Sequence, residues 1–472
     1  MALRLRPLSF ALLLAGFAAQ ANATDLVQAY DLARQHDPVF AASEAQRNAQ
    51  GEGVVQSRAA LLPQLSGDIS YNRNQSVSNG SQAFGSSVQP PSNTHSDSTT
   101  HSYGFNLHQS LYDYRNYSRL GASKARAQQA NAEYDAAANA LIVRVADAYF
   151  NVLTSIETLA ASRAEERSVK RQLDLAEKRL EVGLAPITDV HEARARYDSA
   201  RANAISTANA LDDGYEALAE ITGQPLAGLK GLAADYHPEN ADTRSVDEWV
   251  TLATQSNPTL KAYEQALAAA EKDVETARAG HYPTLAATAS WRDNSTSGSN
   301  FVVSPSFPDS FASFDNGSRG SSIGISLSVP LFSGFATQSR LRQALYQRDG
   351  VADQLEQQKR AITRQTRGAY RSLVAGKAEV EARRQAVVSA KAAYEAGTAG
   401  LEVGTRTIVD VLIAQQQLFQ AQREIAVARH AFLSNWLKLR QAAGILVVDD
   451  LQAVNRALTV DADAALDNAD KD

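Results

Sequence analysis

Side chains able to do chemistry are few and scattered in this sequence. It has eight histidines and no cysteine, which excludes disulfides, thiolate nucleophiles and thiolate metal sites. His95, His101 and His108 fall in or beside one polar, strand-like stretch, and no H-E-x-x-H pattern occurs, so a zinc hydrolase is not predicted. We find no catalytic constellation, no metal site and no cofactor site, and we predict that the protein is not an enzyme.

One stretch, Gly223–Lys230, superficially has the spacing of a phosphate-binding loop. Leu229 stands where such a loop has its lysine, and the stretch follows a helical pattern instead of a strand. Nucleotide binding is therefore not predicted.

The residues most informative about function lie at and just after two glycines, Gly183 and Gly404. Seven candidate site residues lie at or just after these two turns: Gly183, Thr188, Asp189, Gly404, Thr405, Arg406 and Asp410. Glycine suits the left-handed cap that ends a helix, and threonine and aspartate suit the start of the next one. Pro186 suits a first helical turn, with Thr188 and Asp189 as capping groups, while Thr405 and Thr407 serve the second turn. On this pattern alone, the charged residues are solvated residues at helix starts.

The two turns are copies of one pattern. Leu-Glu-Val-Gly at 180–183 returns at 401–404, an offset of 221 residues (404 − 183). Leu62-Pro63 corresponds to Tyr282-Pro283 at an offset of 220 (283 − 63). The two halves of the sequence therefore align with one another with a single one-residue shift, which indicates a tandem duplication. We predict a signal peptide at 1–23, a first repeat at 24–232, a second at 233–450 and a disordered acidic tail at 451–472.

Each repeat is predicted to contain a long helical hairpin. The region from Tyr114 to Val182 has no proline, and apolar or small residues recur there in steps of three and four, as on a coiled-coil seam. A helix of that length measures roughly 100 Å. A second helix follows each turn at once, which predicts antiparallel helices. Shorter helical segments, roughly Asp25–Leu61 and Val246–Ala279, open the repeats.

Between the short and long helices the period changes to two. Four stretches of about 7–11 residues alternate apolar and polar side chains, as transmembrane barrel strands do. They lie at 65–71, 102–111, 285–291 and 322–331. A small soluble sandwich is the alternative. The serine-rich links Asn72–Thr100 and Arg292–Gly320 are expected to be long polar loops.

Four strands do not close a barrel, since about eight are needed. Open strand edges in lipid would leave backbone groups unpaired. Strands from several chains are therefore expected to complete one wall.

The N-terminus indicates export. Arg4 and Arg6 precede an apolar run that ends at Ala21-Asn22-Ala23, as in a secretory signal peptide. No later segment has about 20 uninterrupted apolar residues, so no transmembrane helix is predicted. The net charge of −6 argues against nucleic acid as a partner.

Together these features resemble the TolC family of outer-membrane channel-tunnels, over essentially the whole chain after the signal peptide. The most specific element is Val403–Leu412, which is similar to the family's second hairpin tip almost letter for letter. Val182–Leu184 with Ile187–Val190 resembles the first tip.

The resemblance implies a mixed fold of α-helical coiled-coil hairpins and transmembrane antiparallel strands, four per chain. A homotrimer would form a twelve-stranded barrel on a long helical tunnel, in the outer membrane and extending into the periplasm. The implied function is a passive exit duct for drug efflux or type I protein secretion, opened when partners untwist the hairpins. The implied partners are outer-membrane lipid, a periplasmic adaptor and an inner-membrane transporter of the ABC, RND or MFS type.

At the tips, the resemblance implies a gate salt bridge between Asp189 and Arg406. It also implies an acidic ring formed by three copies of Asp410, which would favour cations. Ile413 stands where the family pattern has a second acidic ring, and Leu401 replaces an aromatic, so a weaker cation preference and a differently tuned gate are expected. Gly183, Thr188, Gly404 and Thr405 would meet the adaptor.

Two other protein classes are weighed against the duct. A trimeric coiled-coil surface or structural protein with a barrel anchor is the main alternative. Such anchors place their strands at one end, whereas here strand pairs interrupt the helical sequence twice. A periplasmic adaptor would need soluble β domains and a lipid-modified cysteine, and the sequence has no cysteine.

Overall fold

The computed structural model describes residues 24–80, 83–84, 87–88, 92–233, 236–237, 244–304 and 307–471. The predicted signal peptide, 1–23, lies outside these ranges. The described residues form two compact units. The strand unit comprises Glu44–Tyr134 and Thr259–Lys359, and the hairpin unit takes its residues from Met1–Ser43, Asp135–Pro258 and Arg360–Asp472. Each unit therefore draws on both predicted repeats.

Helices make up most of the described chain, and two of them are far longer than the rest. In chain order they are α1 (Leu26–His36), α2 (Pro38–Ala59), α3 (Tyr114–Glu181), α4 (Ile187–Thr222), α5 (Val246–Ser256), α6 (Pro258–Arg278), α7 (Ala336–Glu402), α8 (Ile408–Ala442), α9 (Val448–Asn455) and α10 (Ala464–Lys471). The predicted pair of long helical hairpins, α3 with α4 and α7 with α8, is confirmed. One 18-residue stretch of α3 is apolar enough to cross a membrane, but half of it is buried in the protein, as in a core helix.

The short opening helices differ from the prediction, because each is broken once. Asp37 and Asn257 end α1 and α5 with extended backbone, at φ −67°, ψ 115° and φ −62°, ψ 120°. Each is followed by a proline, which disfavours the helical conformation of the residue before it. The break occurs at matching places in the two repeats.

The strands are β1 (Gln64–Gly80), β2 (Ala83–Phe84), β3 (Ser87–Val88), β4 (Ser92–Tyr112), β5 (Lys230–Leu232), β6 (Thr284–Ser304), β7 (Phe307–Ser328) and β8 (Leu458–Asp461). Four of them form one antiparallel sheet in the order β1-β4-β6-β7. The central pairing joins β4 of the first repeat to β6 of the second, with Phe105 opposite Trp291. Four antiparallel strands were predicted, and the sheet confirms them.

The prediction of long polar loops was wrong over most of their length. Asn72 pairs with Thr100, and the ladder continues to Gly80 opposite Ser92. In the second repeat, Arg292 pairs with Gly320 within the β6–β7 ladder. Ladder hydrogen bonds use backbone groups, so serine and asparagine side chains do not stop a strand from continuing.

The four-stranded sheet exposes large apolar side chains. Ile69 is 81% exposed and Ile323 is 89% exposed. In the described chain, β1 and β7 each have a partner on one side only. This surface and these edges need covering, as the sequence predicted.

The C-terminal region corrects another prediction, since the described part of 451–472 is ordered. β8 pairs with β5, with Lys230 opposite Asp461, and Leu451, Val454 and Leu458 are buried. The aspartates of this segment lie among apolar residues that pack, so its acidic composition does not prevent folding.

Candidate functional site

The first hairpin tip is a tight glycine turn. α3 ends at Glu181, and Gly183 has φ 69°. The Leu184 N–H donates to the Arg179 carbonyl at 2.8 Å, and the Gly183 N–H donates to the Leu180 carbonyl at 3.0 Å. This bond pattern is the Schellman motif, which satisfies the last carbonyls of a helix. Gly183 therefore has the predicted cap geometry.

The second tip repeats this turn. Gly404 has φ 78°, its N–H donates to the Leu401 carbonyl at 3.3 Å, and the Thr405 N–H donates to the Gly400 carbonyl at 2.8 Å. The Thr405 hydroxyl adds a bond to the same carbonyl at 3.1 Å. Thr405 thus closes the end of α7, whereas the sequence assigned it to the start of α8.

The next helix begins differently at the two tips. Thr407 caps α8: its hydroxyl accepts the Asp410 N–H at 3.2 Å, while Asp410 Oδ2 accepts the Thr407 N–H at 3.0 Å. The Thr407 N–H and hydroxyl both donate to the Asp410 carboxylate, and these two bonds hold the pKa of Asp410 below its usual value, helped by nearby Arg406. At the first tip Pro186 precedes α4 with no side-chain cap, because proline has neither a hydroxyl nor an N–H. Thr188 and Asp189 lie one and two residues inside α4, so their predicted capping role was wrong.

The gate pair is not formed within one chain. Arg406 is exposed and Asp189 is half-buried, and the Arg406 backbone N–H donates to the Gly400 carbonyl at 3.2 Å. Within the ranges that the structure describes, neither side chain has an ion pair. A salt bridge between Asp189 and Arg406 therefore stays a prediction.

An apolar cluster fixes the helices behind the tips. It joins α3, α4 and α8 through Val169, Leu173, Ala176, Val190, Ala193, Ile408 and Leu412. Val190 and Val409, which directly neighbour Asp189 and Asp410 in sequence, belong to the cluster or pack against it. Leu401, which stands where the family pattern has an aromatic residue, also packs against the cluster. Burial of these neighbours orients the charged residues of the tips, while Ile413 remains 40% exposed.

Polar side chains link the two hairpins above the cluster, and the sequence reasoning missed them. Gln415, fully buried on α8, donates to the Ser168 hydroxyl on α3. Arg196 donates to Gln416 at 3.0 Å, between α4 and α8. Arg423 lies 2.7 Å from Glu165. Nothing in the local sequence pattern pairs residues about 250 positions apart (423 − 165 = 258), so only the packing of α3 on α8 identifies them.

Higher on the same helices lies a buried group around His430. Arg429 pairs with Glu157 at 2.7 Å, and burial raises the pKa of Glu157 despite this cation. His430 stacks on Phe150 and its Nδ1 lies 2.9 Å from the Thr154 hydroxyl. Burial, with the charge of Arg429, lowers the pKa of His430 to about 3. His430 is therefore neutral, and its 3.5 Å contact with Glu157 is not an ion pair.

The tip residues and the group around His430 do not suggest a metal site. Across the described ranges, no three or more His, Cys, Asp or Glu side chains are grouped so that they could hold a metal ion. The Arg423–Glu165 and Arg429–Glu157 pairs of the hairpin unit join α3 to α8 and position these helices.

Comparison with known proteins gives consistent matches over nearly the whole chain. Residues 29–224 and 249–445 match the outer membrane efflux protein family, and the two segments lie within the two predicted repeats. Outer membrane protein TolC of Vibrio cholerae is 35% identical, over 97% of this chain and 99% of that protein. Alkaline protease secretion protein AprF of Pseudomonas aeruginosa is 30% identical, over 92% of this chain and 87% of that protein.

A solved structure shows the same fold. The Campylobacter jejuni CmeC outer membrane channel aligns with 97% of this chain and 98% of its own, with a TM-score of 0.71 at 15% identity. At that identity the likeness speaks for the fold alone.

Proposed function

The chain belongs to the outer membrane efflux protein family, and from this premise we propose that it is a passive, gated exit duct for drug efflux or type I protein secretion. It is an outer-membrane protein. The observation that carries the proposal is full-length similarity to relatives named for efflux and for protease secretion. The described residues offer no metal cluster, and the duct does no chemistry of its own.

The duct is a homotrimer whose barrel wall contains twelve strands, four from each chain. The apolar side chains of the sheet support this arrangement, because Ile69 and Ile323 are more than four-fifths exposed and lipid would cover them. The one-sided pairing of β1 and β7 supports it as well, because neighbouring chains would complete both edges.

The hairpin tips form the gate and the docking site for a periplasmic adaptor, which recruits an inner-membrane transporter. A Cβ atom built at Gly183 or Gly404 would meet nothing within 4 Å. Leu184 is 79% exposed and Val403 is 74% exposed. Thr188 and Thr405 are also exposed, so both tips offer a mixed apolar and hydroxyl surface to a partner.

The closed state is held by salt bridges between Asp189 of one subunit and Arg406 of the next. Because Asp189 lacks the cap contacts that Asp410 makes, its carboxylate is available to an arginine from outside the chain. Three copies of Asp410 line the opening. Thr407 engages Oδ2 of Asp410 and leaves Oδ1 to face cations.

The experiment is purification of the detergent-solubilised protein, followed by mass measurement and planar-bilayer recording. The expected result is a trimer that inserts into lipid and conducts ions. A water-soluble monomer in the absence of detergent would overturn the proposal. A trimer that inserts but conducts no ions, even with Arg406→Ser, would favour the anchored surface protein.

A further inference from the structure

One face of α7 carries a row of arginines. Arg360, Arg364, Arg367 and Arg371 follow one another in steps of four, three and four, so they share one side of the helix. All four are exposed. The buried residues of this part of α7, Ile362, Thr366 and Leu373, lie on the opposite side at helical spacing. We call these four arginines the basic stripe.

A row of carboxylates occupies the corresponding face of α4. Asp212, Asp213, Glu216 and Glu220 are all exposed, and no lysine or arginine occurs between 202 and 222. The buried Leu211 and Leu218 lie on the other side of α4. We call these four residues the acidic stripe.

Arg367 and Asp213 have only weak partners inside their own chain. Arg367 lies 3.6 Å from Asp247, whose side chain is 82% exposed. Asp213 accepts one hydrogen bond from Asn209, at 3.1 Å. Like charges repeated at this spacing repel one another, so a surface of opposite charge would stabilise both stripes.

The two stripes lie on helices at opposite edges of the hairpins. α3 and α8 contact each other through the Arg423–Glu165 and Arg429–Glu157 pairs. α4 packs on α3, where Asn203 donates to Ser162 at 3.2 Å. α7 packs on α8, where Arg383 pairs with Glu424. At this level the helix order is α4-α3-α8-α7, although Arg196 and Gln416 bring α4 and α8 together nearer the tips.

The C-terminal ends of the two stripes lie at the same level. A Cβ at Gly214 on α4 would meet Val152 on α3 at 3.6 Å, Phe150 of α3 stacks on His430 of α8, and a Cβ at Gly376 on α7 would meet Phe432 of α8 at 3.8 Å. Together with the Arg423–Glu165 and Arg429–Glu157 pairs, these contacts put Gly214 and Gly376 at about the same level on opposite edges of the four helices. Because α4 and α7 run antiparallel, Glu220 is level with the segment between Arg367 and Arg371.

We infer that the C-terminal end of the acidic stripe of α4, Glu216 and Glu220, binds the C-terminal end of the basic stripe of α7, Arg367 and Arg371, in the next copy of this chain. Rotation about an axis parallel to the helices preserves level, so a ring of subunits would place Glu220 beside Arg367 and Arg371, and Glu216 beside Arg371. Head-to-tail contacts form a ring when the rotation between copies closes, as it does in a homotrimer. This inference rests on the proposed homotrimer and names the surface by which it assembles.

Exposed apolar side chains accompany both stripes. Ile205, seven residues before Asp212, is 65% exposed, and Val374, three residues after Arg371, is 55% exposed. Both lie on the faces of their stripes by helical spacing. Apolar residues among the charges are typical of a surface that another protein covers.

Crosslinking tests the contact directly, since the sequence contains no cysteine. In the double variant Glu220→Cys/Arg371→Cys, a short bis-maleimide should convert the detergent-solubilised protein to covalent dimers and trimers. The matched control is Glu220→Cys/Ser389→Cys, because Ser389 is exposed but lies roughly 27 Å further along α7. The expected result is strong crosslinking in the first variant and its loss in the control.

Charge reversal provides a second test. Glu216→Arg/Glu220→Arg and Arg367→Glu/Arg371→Glu should each weaken trimer association by about tenfold or more, since like charges would face each other. Combining all four substitutions should restore association.

The two experiments separate the inference from the proposed function. A trimer that fails to crosslink between 220 and 371 and tolerates both reversals overturns the stripe contact and leaves the duct intact. A protein that is monomeric in detergent before any substitution overturns both.

Discussion

The carboxylate of Asp410 accepts two hydrogen bonds from Thr407, one from its backbone N–H at 3.0 Å and one from its hydroxyl at 2.8 Å. The equivalent residues of the first repeat, at an offset of 221 (410 − 189), are Pro186 and Asp189, which form no such cap. The tips therefore share a turn but differ in how the next helix begins. Because of this difference, the carboxylate of Asp410 is bonded within its own chain, whereas the carboxylate of Asp189 is available to a partner.

Thr407→Ala should loosen the start of α8. Loss of the hydroxyl removes one bond to the Asp410 N–H and one to its carboxylate, and a lost N-cap costs about 1 kcal/mol. Amide hydrogen exchange over 407–412 should become faster by several-fold. The control is Thr188→Ala, because Thr188 lies inside α4 and is exposed. Equal effects of the two substitutions on their own tips would contradict the capping argument.

Arg406→Ser should loosen the closed gate. We expect a higher single-channel conductance in planar bilayers, because three intersubunit salt bridges would be lost together. Asp189→Asn should produce the same change, and the double variant should add little to either single variant, since both act on one contact. Conductance unchanged from the parent in Arg406→Ser would count against the gate pair.

Ion selectivity should follow the number of carboxylates at the opening. With Asp410 alone, the protein should prefer cations weakly, and Ile413→Asp should raise the cation-to-anion permeability ratio, because it adds a ring one turn further along α8. Ile413 is 40% exposed, so an aspartate there would meet solvent. Ile413→Asn controls for polarity without charge. A parent protein as selective as the Ile413→Asp variant would contradict the single ring.

Gly444→Ala should strongly destabilise the hairpin unit. Gly444 has φ 71°, and an added Cβ would lie 2.4 Å from Asn257 Cα and 2.5 Å from its backbone N. The left-handed conformation alone costs an L-residue about 1–2 kcal/mol, and the backbone clash adds to this.

The matched control for Gly444 is Gly183→Ala. Gly183 has a similar φ of 69°, but a Cβ there would meet nothing within 4 Å. Urea unfolding should therefore show a clearly smaller loss of stability for Gly183→Ala. A similar loss at both positions would mean that the contact with Asn257 contributes nothing.

His430 should make the protein sensitive to mild acid. Its pKa in the folded protein is about 3, below the value of about 6.5 in an unfolded chain, so the unfolded state takes up the proton first as pH falls. The free energy of unfolding should therefore decrease between about pH 6.5 and pH 3, by up to about 1.4 kcal/mol per pH unit.

The variant His430→Gln tests this sensitivity, because glutamine does not titrate and can still bond to Thr154. Urea unfolding at about pH 7.5 and about pH 5 should show a loss for the parent that exceeds the loss for the variant by roughly 2 kcal/mol. Glu157 and Arg429, which face His430, are present in both proteins. Equal losses in parent and variant would exclude His430 as the cause.

Local patterns in the sequence were enough to predict the helices, the strands and the turns at the hairpin tips. The steps of three and four in Tyr114–Val182 predicted α3, the Val-Gly pairs predicted both tips, and alternation predicted the four strands. These features depend on neighbouring residues. The breaks before Pro38 and Pro258 were also readable, but a continuous helix was expected there. The polar segments by which the strands extend beyond the predicted stretches were missed, because ladder hydrogen bonds do not depend on side-chain polarity.

By itself, the sequence determined the duplication, the helical hairpins, the four strands and the residues that occupy each tip. Only the tertiary structure decided that Thr407 engages Asp410 while Pro186 leaves Asp189 without a cap, that Arg429 pairs with Glu157, and that Glu220 lies level with the segment between Arg367 and Arg371 on the opposite edge. The physical reason is that periodicity encodes which face of a helix is apolar, but not which distant helix covers it. Pairing between residues hundreds of positions apart is set by the register in which long helices pack.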